Sequence, residues 1–214
     1  MTSTPARCIS RRALIAAGLA MVSGETLAAA RPVVTLLGDS ITAGYGLAAA
    51  DALPAQLQAA LARSGSTAIV RGAGVSGDTT AGGLARVDFS VRPDTSVCVV
   101  ALGGNDLLQG LDPSTTRANL QAIVRRLKVR RIGVVLAGIA APPAIGRGYA
   151  DDFNAAFATV ARNERVPLYP DLLAGVGADN SLKQRDGIHP NAAGVAVIAR
   201  RLAPTVVRAL KARA

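Results

Sequence analysis

The chain has a single histidine, His189, no tryptophan and only two cysteines in 214 residues. Each scarcity excludes something. With three tyrosines and three phenylalanines there is little aromatic surface on which bases could stack, and no nucleic-acid-binding motif appears, so the formal net charge of +10 does not point to a nucleic-acid partner. No cluster of His and Cys exists to hold zinc, and the scattered aspartates read as helix caps and turns, so neither a metal nor another cofactor is expected. Cys98 lies in an apolar run and Cys8 in the first thirty residues, so no disulfide is expected and the core alone must hold the domain together. Half of the residues are apolar, which excludes disordered and fibrous classes and suffices for one ordinary core.

Residues 1–30 read as a leader rather than as part of that core. Ser10-Arg11-Arg12 precedes an apolar run from Ala13 to Val22, and Ala28-Ala29-Ala30 follows with the small residues of a cleavage site before Arg31. The run is too short for a permanent membrane span, and the paired arginines hint at twin-arginine export. The reading is a signal peptide over 1–30 and a mature domain over 31–214, located in the periplasm or secreted. Losing Arg7, Arg11, Arg12 and Glu25 takes 24 basic and 14 acidic residues to 21 and 13, a net of +8. Charge of that sign biases the protein toward anionic surfaces, including transient contact with an anionic membrane. The oligomeric state is not encoded in any pattern found.

Apolar runs and helical periodicity then alternate. Strands are expected at Val33–Leu37, Thr67–Arg71, Thr95–Leu102, Ile132–Ile139 and Val166–Tyr169. Between them, helices are expected from an Asp51 cap and Pro54 to Gly65, up to Val87 after a glycine-rich loop over Gly72–Thr80, from Pro113, and over Tyr149–Arg165; a last helix follows Pro190 and breaks near Pro204. Five strands alternating with helices, without repeats or a linker, imply a single α/β domain: a doubly wound, flavodoxin-like three-layer sandwich on a parallel sheet of order 2-1-3-4-5. That order puts the switch point between strands one and three, where ligands bind beyond the strands' carboxyl ends. Ser40, just after strand one, and Asn105, just after strand three, then flank one crevice.

Serine-based acyl transfer needs a general base, and His189 is the one candidate. Asp186 sits three residues before it in Asp186-Gly187-Ile188-His189-Pro190, close enough to accept from Nδ1 and leave Nε2 facing Ser40. The order Ser, Asp, His is that of the α/β-hydrolases, but the chain contains no G-x-S-x-G elbow.

Four ordered blocks carry a different resemblance: GDS-x-x-AGYG at Gly38–Gly46, GVSGDTTAGGLAR at Gly74–Arg86, LGGND-x-x-x-G at Leu102–Gly110 and DGIHPN at Asp186–Asn191. Together they resemble the SGNH hydrolases, or GDSL esterases and lipases, over essentially the whole mature chain, and within that family the bacterial thioesterase I, arylesterase and lysophospholipase L1 group. The resemblance implies Ser40 as nucleophile, His189 as base, Asp186 as its orienting partner, and an oxyanion hole made by the Ser40 N–H, the Gly77 N–H and the Asn105 side chain. Gly72 stands where relatives often carry Asn, which bears on the stiffness of the glycine-rich loop. Asp106 has no expected role.

The function so implied is hydrolysis of carboxylic aryl or acyl esters, or of thioesters, through an acyl-enzyme, with a small-molecule or lipid-like ester as partner. Leu107, Leu108, Gly110, Leu111 and the Pro142–Gly148 loop are expected to receive the acyl group. The rival from another class is a non-catalytic flavodoxin-like module whose Gly72–Thr80 loop cradles a phosphate or nucleotide. That reading lacks a G-x-x-x-x-G-K-[ST] sequence and leaves Asp186 and His189 without a purpose.

Overall fold

Parallel strands buried on both faces must be apolar along their whole length, and β1 (Val33–Gly38) is: all six of its residues are buried. The computed structural model describes residues 1–2 and 31–213, so the expected leader lies outside the described residues but for its first two. Residues 31–214 form a compact unit, and the buried core of the described residues falls within it. Its sheet is parallel with the order β2-β1-β3-β4-β5, as expected, where β2 is Ile69–Gly74, β3 Thr95–Ala101, β4 Gly133–Ala137 and β5 Leu168–Tyr169. Thr35 and Thr95, polar residues in buried strands, satisfy each other through a 2.8 Å hydroxyl contact.

Seven α-helices are described: α1 (Ser40–Ala43), α2 (Leu53–Arg63), α3 (Thr80–Ser90), α4 (Gly104–Leu108), α5 (Pro113–Val129), α6 (Arg147–Glu164) and α7 (Ala192–Lys211). α2 packs with α7, while α3, α5 and α6 pack in sequence, which gives a layer of helices on each face of the sheet. The core lies between the layers, with Leu36, Leu102, Leu127 and Leu136 among its fully buried side chains. Cys98, the one cysteine among the described residues, is buried there, and desolvation pushes its thiol up to about 12, which leaves it unreactive.

Several boundaries differ from expectation for identifiable reasons. β2 runs on to Gly74, so Gly72–Gly74 is strand rather than loop, with Gly72 opposite Leu36. Gly74 permits this because its backbone lies under α1, where an added Cβ would stand 2.3 Å from the Ala43 nitrogen. β5 keeps two residues, bracketed by Pro167 and Pro170, which cannot donate to a ladder. Asp51 does not cap α2; it ends a 3₁₀ turn over Ala49–Asp51, and Ala52 occupies the cap position. α7 continues through Pro204. The proline is on the exposed side, and buried Leu202, Ala203, Thr205 and Val206 hold the helix on either side.

Candidate active site

All five strands deliver their carboxyl ends to one edge, and β1 and β3 end level there, with Gly38 opposite Ala101. Ser40 opens α1 directly after β1, and Asp39 caps that helix by accepting from Ile41 N–H at 3.0 Å. Asn105 lies in the first turn of α4, after Gly103, which takes a left-handed φ of 116° to turn the chain out of β3. His189 arrives from the far end of the sequence, immediately before α7. Asn191 caps that helix and also donates from its amide to the Ser181 and Lys183 carbonyls, so the loop carrying His189 is pinned on both sides.

These loops bring Ser40, His189 and Asp186 into line. His189 Nε2 stands 2.8 Å from Ser40 Oγ, and Nδ1 stands 2.6 Å from Asp186 Oδ2. The other oxygen of Asp186 accepts the backbone N–H groups of Ile188 and His189 at 2.9 and 3.0 Å. The bond from the His189 ring, with those two amides behind it, holds the Asp186 carboxyl down to about 2. An ionised carboxylate only accepts, so Nδ1 carries the proton and the Nε2 lone pair faces the Ser40 hydroxyl, the tautomer a general base needs.

The sequence-predicted oxyanion donors lie on neighbouring loops. Asn105 Nδ2 donates one hydrogen to the Asp78 carbonyl at 2.8 Å, which leaves its second N–H free for a ligand. Gly77 is exposed at a left-handed φ of 83°, and among the described residues neither its N–H nor that of Ser40 has an internal acceptor. A cavity of about 160 Å³ opens beside Ser40, His189 and Asn105, walled by Ile41, Leu107, Leu108, Ile139, Leu173 and Ile188. Of the residues expected to receive an acyl group, Leu107 and Leu108 line it, whereas Gly110, Leu111 and Pro142 do not. Ile139 follows β4, and a strand end on this edge was signal enough to suspect it. Leu173 and Ile188 sit in irregular loops with no periodicity to mark them.

Sequence reasoning also missed the side chains that hold these loops together. Arg86, on α3, donates to the Gly38 and Ala73 carbonyls at 2.9 Å each and to Asp78 Oδ2 at 2.5 Å, tying the ends of β1 and β2 to the loop bearing Gly77. Gln184 Nε2 donates to the Tyr45 carbonyl at 2.7 Å and so fastens the His189 loop to the loop after Ser40, while the Tyr45 ring lies 4.7 Å from that of His189. Asp106 has a role after all. It is buried and accepts from Thr80 N–H, Thr80 Oγ1 and Thr116 Oγ1 at 2.8, 2.5 and 3.1 Å, anchoring α4 to α3 and α5. Asp39 is also buried, and desolvation pushes its carboxyl up to about 6 against the Ile41 bond and the attraction of His189.

The arrangement has known counterparts. The profile of the GDSL-like Lipase/Acylhydrolase family matches residues 36–197. The chain belongs to that family. It is 36% identical over 196 residues to Esterase TesA of Pseudomonas aeruginosa, covering 91% of this chain and 98% of that protein. To the Thioesterase 1/protease 1/lysophospholipase L1 of Escherichia coli K12 it is 37% identical over 165 residues, 77% of this chain and 78% of the relative. A crystal structure of TesA superposes with a TM-score of 0.78 at 35% identity, covering 83% of this chain and 99% of the other. As a member of this family the protein is a hydrolase of ester bonds.

Proposed function

We propose that this GDSL-family hydrolase is an exported serine esterase that cleaves carboxylic esters or thioesters through an acyl-enzyme. The observation that carries the reading is the unbroken line from Asp186 through His189 to Ser40, at 2.6 and 2.8 Å, beside an apolar cavity. Ser40 Oγ attacks the acyl carbon as His189 Nε2 takes its proton. The carbonyl oxygen gains its negative charge near the Ser40 and Gly77 N–H groups and the free N–H of Asn105, donors fixed before the charge develops. Asp186 keeps the imidazole oriented and offsets its positive charge. His189 then protonates the leaving alcohol or thiol, and a water activated by the same base releases the acid.

Ile41, Leu107, Leu108, Ile139, Leu173 and Ile188 suit the acyl or aryl part of the substrate. The names of the relatives, an esterase and a thioesterase with lysophospholipase activity, support ester and thioester substrates alike. Export rests on the leader grammar of residues 1–30, and cleavage before Arg31 leaves β1, which starts at Val33, intact. The test is Ser40→Ala across p-nitrophenyl esters of increasing chain length, an acyl-CoA and a lysophospholipid, with fluorophosphonate labelling of the unaltered protein. Activity on every ester should vanish and the label should map to Ser40 alone. More than trace turnover by the variant overturns the mechanism. N-terminal sequencing of exported protein should begin at or near Arg31.

A further inference from the structure

Helices that return a chain between parallel strands end where the next strand begins, so the carboxyl ends of α2, α3, α5 and α6 gather at the sheet edge opposite the crevice, and α7 ends there too, with Arg213 just past it lying against Gly133 at the start of β4. Their last turns, the segments that follow them and Arg31 hold twelve cations against three carboxylates, Asp88, Asp94 and Glu164. The remainder of residues 31–214 holds nine cations and ten carboxylates, so the whole net charge of the domain resides on this one edge. Cations do complement helix carboxyl ends, but five ends at roughly half a negative charge each account for only about two or three of them. Several of these cations also donate to backbone carbonyls, as Arg31 does to Thr67 and Lys128 to Glu164, but a carbonyl leaves their charge unneutralised.

The same edge carries two large apolar side chains with no packing partner, Phe89 at 90% exposure on α3 and Val129 at 84% on α5. They belong to one patch, because Asp88, next to Phe89, contacts Arg126 at 3.3 Å and Arg130, next to Val129, at 3.6 Å. Arg130 also donates to the Val91 carbonyl, and Arg213 to that of Arg131, which keeps both turns rigid. Arg92 and Arg131 complete a cationic border around the two apolar tips, and neither has a carboxylate partner among the described residues. Apolar tips framed by arginines match an anionic bilayer, where the tips enter the acyl boundary and the guanidinium groups meet the headgroup phosphates. A dissolved polyanion would have no use for Phe89 and Val129. The chain also enters β1 at this edge through Arg31, which donates to the Thr67 carbonyl at 2.7 Å and adds one more cation there.

We infer that this basic edge is a docking surface for anionic membrane lipids, which seats the domain on the bilayer with its crevice facing away. The inference goes beyond the hydrolase reading and does not depend on it. The experiment is flotation of residues 31–214, which carry the entire described core, with neutral phosphatidylcholine vesicles and with vesicles containing phosphatidylglycerol. Binding is expected only to the anionic vesicles, and it should fall as salt is raised. Arg92→Gln with Arg131→Asn, where Asn accepts the left-handed φ of 58° at that position, should weaken binding about 30-fold, or about fivefold per cation lost. Phe89→Ser with Val129→Ser should weaken it about tenfold while hydrolysis of a soluble p-nitrophenyl ester and the melting temperature stay unchanged. Equal binding to neutral vesicles, no binding at low salt, indifference to either pair of substitutions, or equal loss of heparin binding in the Phe89/Val129 variant would each overturn the inference.

Discussion

Asp39 stands beside the nucleophile and costs the fold stability when ionised, which makes Asp39→Asn a sharp test of the site's electrostatics. The side chain is 4% exposed, and burial raises its carboxyl from 3.8 to about 6. A carboxyl whose pKa rises on folding is harder to ionise in the native state. The penalty is therefore fully present above pH 6, shrinks as pH falls from 6 toward 3.8, and is absent below that. A rise of about two units corresponds to a ceiling of about 3 kcal/mol. Asparagine keeps an oxygen to accept the Ile41 N–H and nearly the same shape without the charge. The variant should be more stable than the parent by up to about 3 kcal/mol at pH 8, with the gain fading by pH 4. Urea titrations at several pH values read this directly. Turnover should move the other way. The ionised Asp39 attracts the imidazolium that His189 becomes as Ser40 attacks, so the variant should lose about tenfold in kcat, or about 1.4 kcal/mol of transition-state stabilisation. A variant less stable than the parent at pH 8, or a gain undiminished at pH 4, would refute the reasoning.

Asn105→Ala should lower kcat by about 10²–10³ with little change in KM, the usual cost of one oxyanion donor. The exposed Gln109→Ala is the proper control, because buried Asp106 holds three hydrogen bonds and its loss would disturb α4. Arg86→Lys keeps the charge but not the fork that grips two carbonyls and Asp78, and it should cost kcat between about 10- and 100-fold through displaced oxyanion donors. Steady-state kinetics showing a change in KM alone would place Arg86 in substrate binding instead. Glu164, which accepts from Gln121, Arg125 and Lys128, has its carboxyl lowered to about 2. Its stabilisation is fully present above about pH 4.5 and lost as pH falls through 2, so Glu164→Gln should destabilise by about 1 kcal/mol at pH 7 and converge with the parent in acid.

The elements legible in advance were those written in local pattern. β1 and β3 are largely apolar runs ended by glycine and a polar group, and a parallel sheet buried on both faces admits little else. Asp186 and His189 share one turn, so their contact is a matter of three residues and a short loop. What stayed hidden depends on distance along the chain. Nothing near Arg86 announces that its guanidinium meets the Gly38 carbonyl 48 residues away, and nothing near Gln184 announces Tyr45 at a separation of 139. Asp106 looked idle beside Asn105 because burial, unlike residue type, cannot be read from one position. The extension of β2 to Gly74 and the unbroken α7 at Pro204 likewise follow from neighbours that reach these positions only in the fold.

That division explains how the site is assembled. The base and its orienting carboxylate form a unit small enough to be encoded in six residues, and their relation survives wherever that turn is placed. The nucleophile belongs to another loop, so the 2.8 Å between Ser40 and His189 depends on links between loops rather than within them. Two links set it. Gln184 clamps the His189 turn to the Tyr45 carbonyl, five residues past the α1 start that carries Ser40, and Arg86 clamps the end of β1 to the loop of Gly77 and Asp78, whose carbonyl in turn holds Asn105. Nucleophile, base and oxyanion donors therefore share one frame of side-chain to backbone bonds. A substitution in that frame displaces the reacting groups relative to one another without removing any of them, and in catalysis it reads as lost kcat with the substrate's binding preserved.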